Sequence, residues 1–556
     1  MAGRRTGGPA VLGGPRAPGA PSATDLKSRP PGLGSRPMRK GTLRFILLGA
    51  GMMPGATGLL GGAEAAARPA APFDVRSFGA KGDGFANDTG PINEAIKAAS
   101  DSGGGTVEFG AGNYLSGSIH LRSDVALHLG PGAAIVASSD PQAYDAAEPN
   151  EWGDAFGFQD AGHSHWHNSL IWGEDLVGVS ITGPGRIVGK GLSRGHAADR
   201  PPQNVGNKSL ALRNCRNVIL RDFTIEHGGW FGILATGVDN LTVDGVTIDT
   251  NRDGMDIDCC KNVRVSNCSV NSPWDDGICL KSSFGLGQFR ATENVTISDC
   301  LVSGFDEGTL VDGTRKHSPD NSAPTGRIKF GTESNGGFKA IAITNCLFEC
   351  SRGLALESVD GAALEDVTVS NLVMRQIYGA PIFLRIGARM RGPARTPVGT
   401  CRRVRIADVV ADGVAGAQGI LILGLEGHPV EGVALENIRV EFAGGGTAAQ
   451  AARKVPEMER DYPEPGSFGA TPSWGLFARH AAGLELSHVE LRTLAEDLRP
   501  SLALEDVDGA LVENVSAAPA PGAKTLVLTK VSGLSVRVCP GVPDTQRKEA
   551  VASEQL

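Results

Sequence analysis

The stretches NVILRDFTI (217–225), NLTVDGVTI (240–248) and NVRVSNCSV (262–270) repeat one pattern, and this pattern decides the fold. Each unit has an alternating apolar strand, a polar two-residue corner and a second strand, and successive units start 23 and 22 residues apart (240 − 217, 262 − 240). One unit cannot bury its apolar face alone, whereas stacked units can. The period therefore predicts an all-β fold, a right-handed parallel β-helix. A β-sandwich or a propeller would need other periods and hairpin turns.

The pattern continues downstream with longer steps where loops are inserted, at 294–302, 340–348, 366–374, 403–411, 432–440 and 483–491. We expect the β-helix to span residues 73–540, followed by a disordered tail at 541–556. The insertions at roughly 145–168, 303–338, 376–400 and 444–475 interrupt the pattern and are expected to form the walls of a binding groove.

The composition agrees with many short strands and tight turns. Of the 556 residues, 41% are hydrophobic, only 5% are aromatic and 77 are glycine. The net charge of −8 excludes a global basic field for nucleic acid or an acidic membrane. An anionic polymer could still bind in a local basic pocket.

Cysteine and histidine do not form a recognisable metal motif. Cys268, Cys300 and Cys346 follow Asn or Asp at matching positions, which is typical of one small buried side chain per repeat. No CxxC pair occurs. The histidines of HSHWH (163–167) alternate as in a metal cluster, but they lack a carboxylate or cysteine partner in the same strand. We therefore predict no metal and no other cofactor.

The N-terminal part resembles a targeting region. Residues 1–37 are rich in Gly, Pro and Arg and are expected to be disordered. Residues 38–67 combine MRK, the apolar run FILLGAGMMPGATGLL (45–60) and a small-residue end, AEAAA, which together predict a signal peptide starting at Met38. The run is too short and glycine-rich for a good membrane span. We expect a secreted or periplasmic protein without a stable membrane span.

A short helix should cover the open N-terminal end of the solenoid. Ile92, Ala95, Ile96 and Ala99 have helical spacing, and Asp88 or Thr89 can cap the helix. Such a helix would protect the bare strand edges of the first coil.

The stretch NRDGMDIDCCKNVRVSNCSVNSPWDDGICLK (251–281) carries the candidate chemistry. Asp253 and Asp275 are 22 residues apart (275 − 253), which is one repeat, so Asp253 and the pair Asp275–Asp276 should lie on neighbouring coils. Carboxylates this close cannot all ionise, so one should hold a proton. An acid beside a carboxylate suits glycosidic cleavage, and a separation of about 6.5–9.5 Å would give inversion. Asp256 and Asp258 alternate along the strand and should brace the site.

These motifs resemble the family 28 glycoside hydrolases, the polygalacturonases and rhamnogalacturonases. The matching stretches are FDVRSFGAKGDGFANDT (73–89), SITGPGRIVGKG (180–191), NRDGMDID (251–258) and DDGICLKS (275–282). The resemblance implies an inverting hydrolase acting on pectin. It also implies that Asp275 is the general acid, that Asp253 and Asp276 hold and activate water, and that Lys281 stabilises the carboxylates or contacts substrate.

Two family features are absent. The histidine of the family's Gly-His-Gly falls near Thr325 or Gly326, although His317 in the preceding loop could substitute for it. The family's Arg-Ile-Lys aligns with Ala355 and Glu357, while the literal RIK (327–329) lies one turn too early. Loss of these cations removes the partner for a galacturonate carboxylate on the leaving side, so a neutral sugar such as rhamnose fits better.

Three cations, Lys281, Lys329 and Arg385, are candidates to bind a galacturonate on the opposite side of the cut. Trp274 and Tyr378 could stack on sugar rings. Glu357 is the candidate on the leaving side. Together these observations predict a monomeric hydrolase that cuts galacturonate–rhamnose linkages in pectic polysaccharide. Three alternatives remain open: an endo- or exo-polygalacturonase, a calcium-dependent polysaccharide lyase, and a non-catalytic carbohydrate-binding β-helix in which the carboxylates are only corner residues.

Overall fold

A computed structural model describes residues 71–149, 163–194 and 206–556. The predicted N-terminal extension (1–37) and signal peptide (38–67) lie outside the described residues. The first part of the fold is β1 (Phe73–Asp74), β2 (Asp83–Asn87), α1 (Thr89–Asp101), β3 (Gly105–Phe109), β4 (Gly112–Ser116), β5 (Ile119–His120), β6 (Val125–Leu129) and β7 (Ala133–Ala137).

Helix α1 buries Ile92, Ala95, Ile96 and Ala99 against the first coils, as the helical spacing predicts. Asp88 occupies the N-cap position without a side-chain cap bond. Its carboxylate instead accepts hydrogen bonds from the backbone amides of Lys81 and Gly82.

The regular coils follow, and each contributes one strand to each of three parallel sheets. They comprise β8 (Ile171–Glu174), β9 (Val177–Thr182), β10 (Arg186–Val188), β11 (Lys208–Arg213), β12 (Arg216–Arg221), β13 (Thr224–Glu226), β14 (Phe231–Thr236), β15 (Asp239–Asp244), β16 (Thr247–Asp249), β17 (Asp253–Asp258), β18 (Lys261–Ser266), β19 (Ser269–Asn271), β20 (Ile278–Ser282), β21 (Thr292–Ser298) and β22 (Leu301–Ser303).

In the later coils the second and third strands merge into long bent strands. These coils comprise β23 (Ile328–Ser334), β24 (Phe338–Ser351), β25 (Leu354–Ser358), β26 (Ala363–Ile377), β27 (Ile382–Ile386), β28 (Thr400–Val414), β29 (Ile420–Leu423), β30 (Val430–Phe442), α2 (Ala448–Ala451), β31 (Leu476–Thr493), β32 (Leu502–Ser516), β33 (Leu526–Arg537), β34 (Thr545–Arg547) and β35 (Val551–Gln555).

Sheet 1, which carries the candidate site, contains β5, β8, β11, β14, β17, β20, β23, β25, β27 and β29 in spatial order. Sheet 2 contains β9, β12, β15, β18 and β21, and sheet 3 contains β10, β13, β16, β19 and β22. The strands pair in register, so Ile233, Met255, Ile278 and Ile328 form one inward column of sheet 1. All four are fully buried, and such columns make up the core. The predicted parallel β-helix is confirmed.

The prediction of a disordered tail at 541–556 is wrong. β34 and β35 turn back and pair antiparallel with β33. The last coil would otherwise expose an unpaired strand edge, and the tail satisfies the hydrogen bonds of that edge.

The bounds of two predicted insertions also need correction, because 303–338 contains β23 and 376–400 contains β27. Every residue of both strands is buried, so neither strand has the polar–apolar alternation that marks a half-exposed strand. Among the described residues, no helix has both the length and the apolar character that a membrane span requires.

Candidate active site

Asp253, Asp275 and Asp276 lie together on the outer side of sheet 1. Asp253 starts β17, and residues 273–277 lead into the neighbouring β20. The Gly254 amide donates to the Asp276 carbonyl at 3.0 Å, which fixes the two coils side by side. Each of the three carboxyl groups has an oxygen within 4.8 Å of the other two. The nearest carboxyl oxygens are therefore closer than the separation of about 6.5–9.5 Å that is typical of inverting pairs, because only one strand spacing separates the coils.

Three cations pair with two of these carboxylates. Arg252 Nη2 lies 2.7 Å from Asp275 Oδ2. Arg327 Nε donates to Asp276 Oδ1 at 2.7 Å, and Lys329 Nζ lies 3.4 Å from Asp276 Oδ2. Arg327 and Lys329 belong to the literal RIK, so this motif contacts the carboxylates from the coil next to Asp276.

Because the pairing is asymmetric, the three carboxyl groups have different pKa values. Burial, with the charges of Asp275 and Asp256, raises the pKa of Asp253 well above its usual range. Burial also raises the pKa of Asp275, against the opposing effect of Arg252. For Asp276, Lys329 and Arg327 outweigh the effect of burial and lower the pKa to about 2. Asp276 is thus ionised, whereas the adjacent Asp253 and Asp275 favour a shared proton.

A second row of buried charges runs behind the three carboxylates. His163 Nε2 lies 2.7 Å from Asp256 Oδ2, and Lys281 Nζ lies 3.4 Å from the same oxygen. Lys281 Nζ also donates to Glu333 Oε2 at 2.9 Å. Burial would lower the pKa of Lys281, but Asp256 and Glu333 outweigh it and raise this pKa. Lys281 is therefore held among the carboxylates and does not project toward the substrate side.

Asp258, the other residue expected to brace the site, has a different partner. Its carboxylate accepts hydrogen bonds from the amide and the hydroxyl of Ser283 on the next coil. This contact fixes the turn that follows β20.

Lys329 links the three carboxylates to Glu357 and to the 444–475 insertion. Its ammonium donates to Tyr462 Oη at 3.0 Å and lies 3.8 Å from Glu357 Oε2. Glu357 is 1% exposed, and within the described residues neither of its carboxyl oxygens has a hydrogen-bond partner. Burial raises the pKa of Glu357 to about 7, although Lys329 and Arg327 oppose the shift.

Arg385, predicted to bind substrate, has a different position and role. Its side chain is fully buried, and its guanidinium donates to the carbonyls of Gly424, Glu457 and Met458. These bonds tie the 444–475 insertion to β27, so the guanidinium is not directed at a ligand. This prediction is corrected because the insertion, invisible to the repeat pattern, covers this part of sheet 1.

The two aromatic candidates differ in position. Trp274 precedes Asp275 directly and is 41% exposed, so its ring is available beside the three carboxylates. Tyr378 lies with His317, whose Nδ1 is 3.4 Å from both Tyr378 Oη and Cys350 Sγ. His317 thus joins an aromatic and thiol cluster.

Sequence reasoning missed several residues of the site. Arg252 directly precedes Asp253, and Arg327 begins the literal RIK, so these two motifs were their signals. Tyr462 and Glu464 had no such signal, because they lie in an insertion far along the chain. Glu464 pairs with Arg327 and lies 3.5 Å from Arg352.

Among the described residues, no cysteine or HSHWH histidine belongs to a group of side chains close enough to hold a metal ion jointly. All ten cysteines are free and buried, as predicted. His163 contacts Asp256, His165 contacts the Glu148 carbonyl, and His167 contacts Glu174, so these three side chains diverge. The three aspartates are close enough to ligate an ion jointly. However, Arg252, Arg327 and Lys329 already neutralise two of them, which disfavours a divalent cation.

Comparisons with known proteins agree with the fold. A family profile described as "Right handed beta helix region" matches residues 203–322, and one described as "Rhamnogalacturonase A/epimerase, pectate lyase-like" matches residues 73–133. The crystal structure of an exopolygalacturonase from Thermotoga maritima superposes with a TM-score of 0.52 at 16% identity, covering 87% of this chain and 96% of that one. At this identity the likeness establishes the solenoid alone.

Sequence relatives extend the similarity. A probable polygalacturonase of Vitis vinifera is 24% identical over 426 residues, covering 71% of this chain and 78% of the relative. A polygalacturonase of Malus domestica is 24% identical over 312 residues, covering 52% of this chain and 62% of the relative. The chain is therefore a right-handed parallel β-helix that is similar in sequence to polygalacturonases over most of its length.

Proposed function

We propose that this protein is a glycoside hydrolase that cleaves pectic polysaccharide with inversion. The observation that carries the proposal is the asymmetric pairing of three adjacent carboxyl groups. Asp276 contacts two cations, which lower its pKa, whereas burial raises the pKa values of Asp253 and Asp275. Paired carboxyl groups with separated pKa values are what acid-assisted cleavage of a glycosidic bond requires. The similarity to polygalacturonases supports pectin as the substrate class.

In the proposed reaction, Asp275 donates its proton to the leaving glycosidic oxygen. Asp275 keeps 25% of its side chain exposed, whereas Asp253 and Asp276 are each only 3% exposed, so Asp275 is best placed to reach the substrate. Arg252 opposes protonation of Asp275 in the resting state. It also stabilises the carboxylate that remains after the proton leaves, which favours the transfer.

Asp276 and Asp253 would hold the attacking water. The water bonds to the anomeric carbon as the bond to the leaving oxygen breaks, and the proton that it loses passes to the Asp276 carboxylate. Arg327 and Lys329 each contact one oxygen of Asp276 and lower its nucleophilicity, while each oxygen keeps a second lone pair for a hydrogen bond from water. Inversion is therefore favoured even though the carboxyl oxygens lie closer together than in a typical inverting pair.

For the linkage, we propose galacturonate–rhamnose bonds, with homogalacturonan as the second candidate. The support for rhamnose on the leaving side is that Ala355 and Glu357 stand where the resemblance expects cations. The names of the sequence relatives favour homogalacturonan instead, and Lys329 is a cation near Asp276 that could serve it, although Asp276 and Glu357 already offset its charge.

The deciding experiment incubates the protein separately with homogalacturonan and rhamnogalacturonan oligomers and identifies products by mass and by proton NMR of the new reducing end. A reducing end of opposite anomeric configuration to the cleaved linkage supports the reaction. An unsaturated product that absorbs ultraviolet light would identify a lyase, and retention of configuration would overturn the water-holding role of Asp276. Release from homogalacturonan alone would overturn the rhamnose assignment.

We also propose that the protein is exported and acts as a monomer. Export is supported by the basic and apolar pattern of residues 38–67. N-terminal sequencing of the protein recovered outside the cytoplasm would test it, with a first residue near position 68 as the expected result.

A further inference from the structure

A cavity of about 570 Å³ opens on the N-terminal part of sheet 1, apart from the three carboxylates. Its lining includes His120, Arg122, Asp145, Trp172 and Glu174. Cavities of roughly 300–1,000 Å³ with an aromatic wall and a few polar groups are typical of small-ligand sites.

The cavity faces the same side of the solenoid as the candidate active site. Trp172 pairs in register with Ala211, Ala211 with Leu234, and Leu234 with Asp256. Three strand spacings, or about 14 Å, therefore separate the Trp172 and Asp256 backbones along the solenoid axis. Ala211 and Leu234, between the two places, are buried in a cluster with Trp166 and Trp230. An extended polymer along the axis of sheet 1 would therefore cross over this cluster to reach both places.

The aromatic wall of the cavity is rigidly held. Trp172 Nε1 donates to Asp145 Oδ2 at 2.8 Å, and the indole stacks on the His167 ring with centroids 4.0 Å apart. His120 Nε2 lies 2.7 Å from the same Asp145 oxygen. Preorganised aromatic and polar groups of this kind bind with little entropic cost.

Among the described residues, both carboxylates of the cavity have partners and one of its cations does not. Asp145 is engaged by His120 and Trp172, and Glu174 accepts from Arg213 and His167, both at 2.8 Å. Arg122 is exposed, and within the described part of the chain its guanidinium makes no ion pair or side-chain hydrogen bond. The cavity thus offers a free guanidinium beside a fixed indole and an imidazole.

We propose that this cavity is a distal subsite that binds a uronate residue of the polysaccharide, with Arg122 pairing with the sugar carboxylate and Trp172 and His120 contacting the ring. The inference rests on the proposed function, since it assumes that a pectic chain lies along sheet 1. The subsite would strengthen binding of long chains and would not affect oligomers too short to reach it.

The test is calorimetric titration of the full chain with two hexasaccharides, hexagalacturonate and an alternating galacturonate–rhamnose hexamer, in an Asp275→Asn background that prevents consumption of the ligand. Arg122→Ala should weaken binding of at least one hexamer about tenfold, the loss of one charged bidentate contact. Arg122→Lys should weaken it less. Arg216→Ala, which removes an exposed arginine of β12 outside the cavity, should leave the affinity unchanged.

A disaccharide and a methyl-esterified hexamer complete the design. Arg122→Ala should not change the affinity for the disaccharide. It should also leave the affinity for the methyl-esterified hexamer unchanged, because that ligand has no free carboxylate. Equal affinity of the Asp275→Asn protein with and without Arg122→Ala, for both acidic hexamers, would overturn the subsite and leave the proposed function standing. Arg122-dependent binding in a protein whose wild type hydrolyses no pectic oligomer would overturn the function and leave the subsite standing.

Discussion

β17 and β18 are consecutive six-residue strands of one coil, and their outer faces differ completely. All six residues of β17 are buried, including Asp253, Asp256 and Asp258. In β18 the outward residues Asn262 and Arg264 are exposed. A solenoid needs to bury only the inner face of each strand. The outer face of β17 is covered by chain segments outside the repeat. The carboxyl groups on this face therefore lie where solvent cannot screen their interactions.

The consequence is that similar residue types have different physical roles on the two sheets. Charged side chains on sheet 2 form solvated ion pairs of small energetic effect. Charged side chains on the outer face of sheet 1 are desolvated, and each depends on its partner. Four predictions test this difference.

The largest effect is expected from Asp276→Asn. Loss of the ionised carboxylate should lower the rate of pectic hydrolysis about 10⁴-fold, because no group then accepts the proton of the attacking water. The measurement is the release of reducing ends by matched concentrations of folded protein. Asp244→Asn on sheet 2 is the matched control and should stay within about twofold of wild type, since Asp244 bonds Ser266 and Asn267 and pairs with Arg221 at a corner away from the three carboxylates. Equal activity of the two variants would contradict the assignment of Asp276.

The next effect concerns stability and compares two lysines. Lys281→Met removes the ammonium that bridges the buried Asp256 and Glu333 and leaves them with His163 and Arg389 as neighbours. The free energy of unfolding should therefore fall by roughly 3–5 kcal/mol. Lys261→Met on β18 breaks an ion pair with Glu293 whose lysine side chain is 37% exposed, and should cost less than about 1 kcal/mol. Urea unfolding followed by circular dichroism measures both. Similar midpoints for the two variants would mean that the outer face of sheet 1 is better hydrated than its burial indicates.

The same contrast separates what the sequence could predict from what it could not. The repeat of NVILRDFTI predicts the solenoid because the inner faces of sheets 2 and 3 alternate with solvated residues. Asp253 was predicted to lie beside Asp275 and Asp276 because the spacing from Asp253 to Asp275 equals one repeat. β23 and β27 fall inside the predicted insertions because burial on both faces removes the alternation that marks the repeat.

The partners of the carboxylates were harder to predict. Lys329 was expected on a strand, but its contact with Asp276 depends on which coil carries the RIK. Tyr462 and Glu464 reach the site from an insertion whose path no periodicity constrains. Arg385 was assigned to substrate because a cation on a strand was assumed to be free, whereas backbone carbonyls of the same insertion bind it. Long-range packing of non-repetitive segments sets these contacts.

A third, smaller effect should appear in the pH dependence of stability. Native Glu357 keeps its proton up to a pKa of about 7, whereas the unfolded carboxyl releases it near 4.5. The native state therefore loses stability relative to the unfolded state as pH rises from 4.5 to 7, by roughly 3 kcal/mol in total. Glu357→Gln should remove this loss, so its stability relative to wild type should increase between pH 5 and pH 8.

Unfolding curves at several pH values measure this change, and Glu365→Gln is the control. Arg402 and Arg403 lower the pKa of Glu365, so this carboxyl stays ionised in both states above pH 5. The Glu365→Gln protein should keep a constant difference from wild type over the same range. A constant difference for Glu357→Gln as well would mean that Glu357 is ionised or solvated in the native state.

The smallest effect is expected at the asparagines that begin the repeated unit on sheet 2. Asn262 has a left-handed backbone (φ 57°), donates to Asn240 Oδ1 at 3.1 Å and accepts from Asn294 at 2.6 Å. Asn262→Ala should cost about 1–2 kcal/mol, because alanine disfavours this conformation and loses both bonds. Asn262→Gly should cost less, since glycine adopts the conformation freely. Because this ladder is solvated and lies on another sheet, both variants should hydrolyse substrate at the wild-type rate per folded molecule. A lowered rate in either variant would mean that a change of backbone geometry on sheet 2 alters the carboxylates on sheet 1. The two sheets would then not be independent.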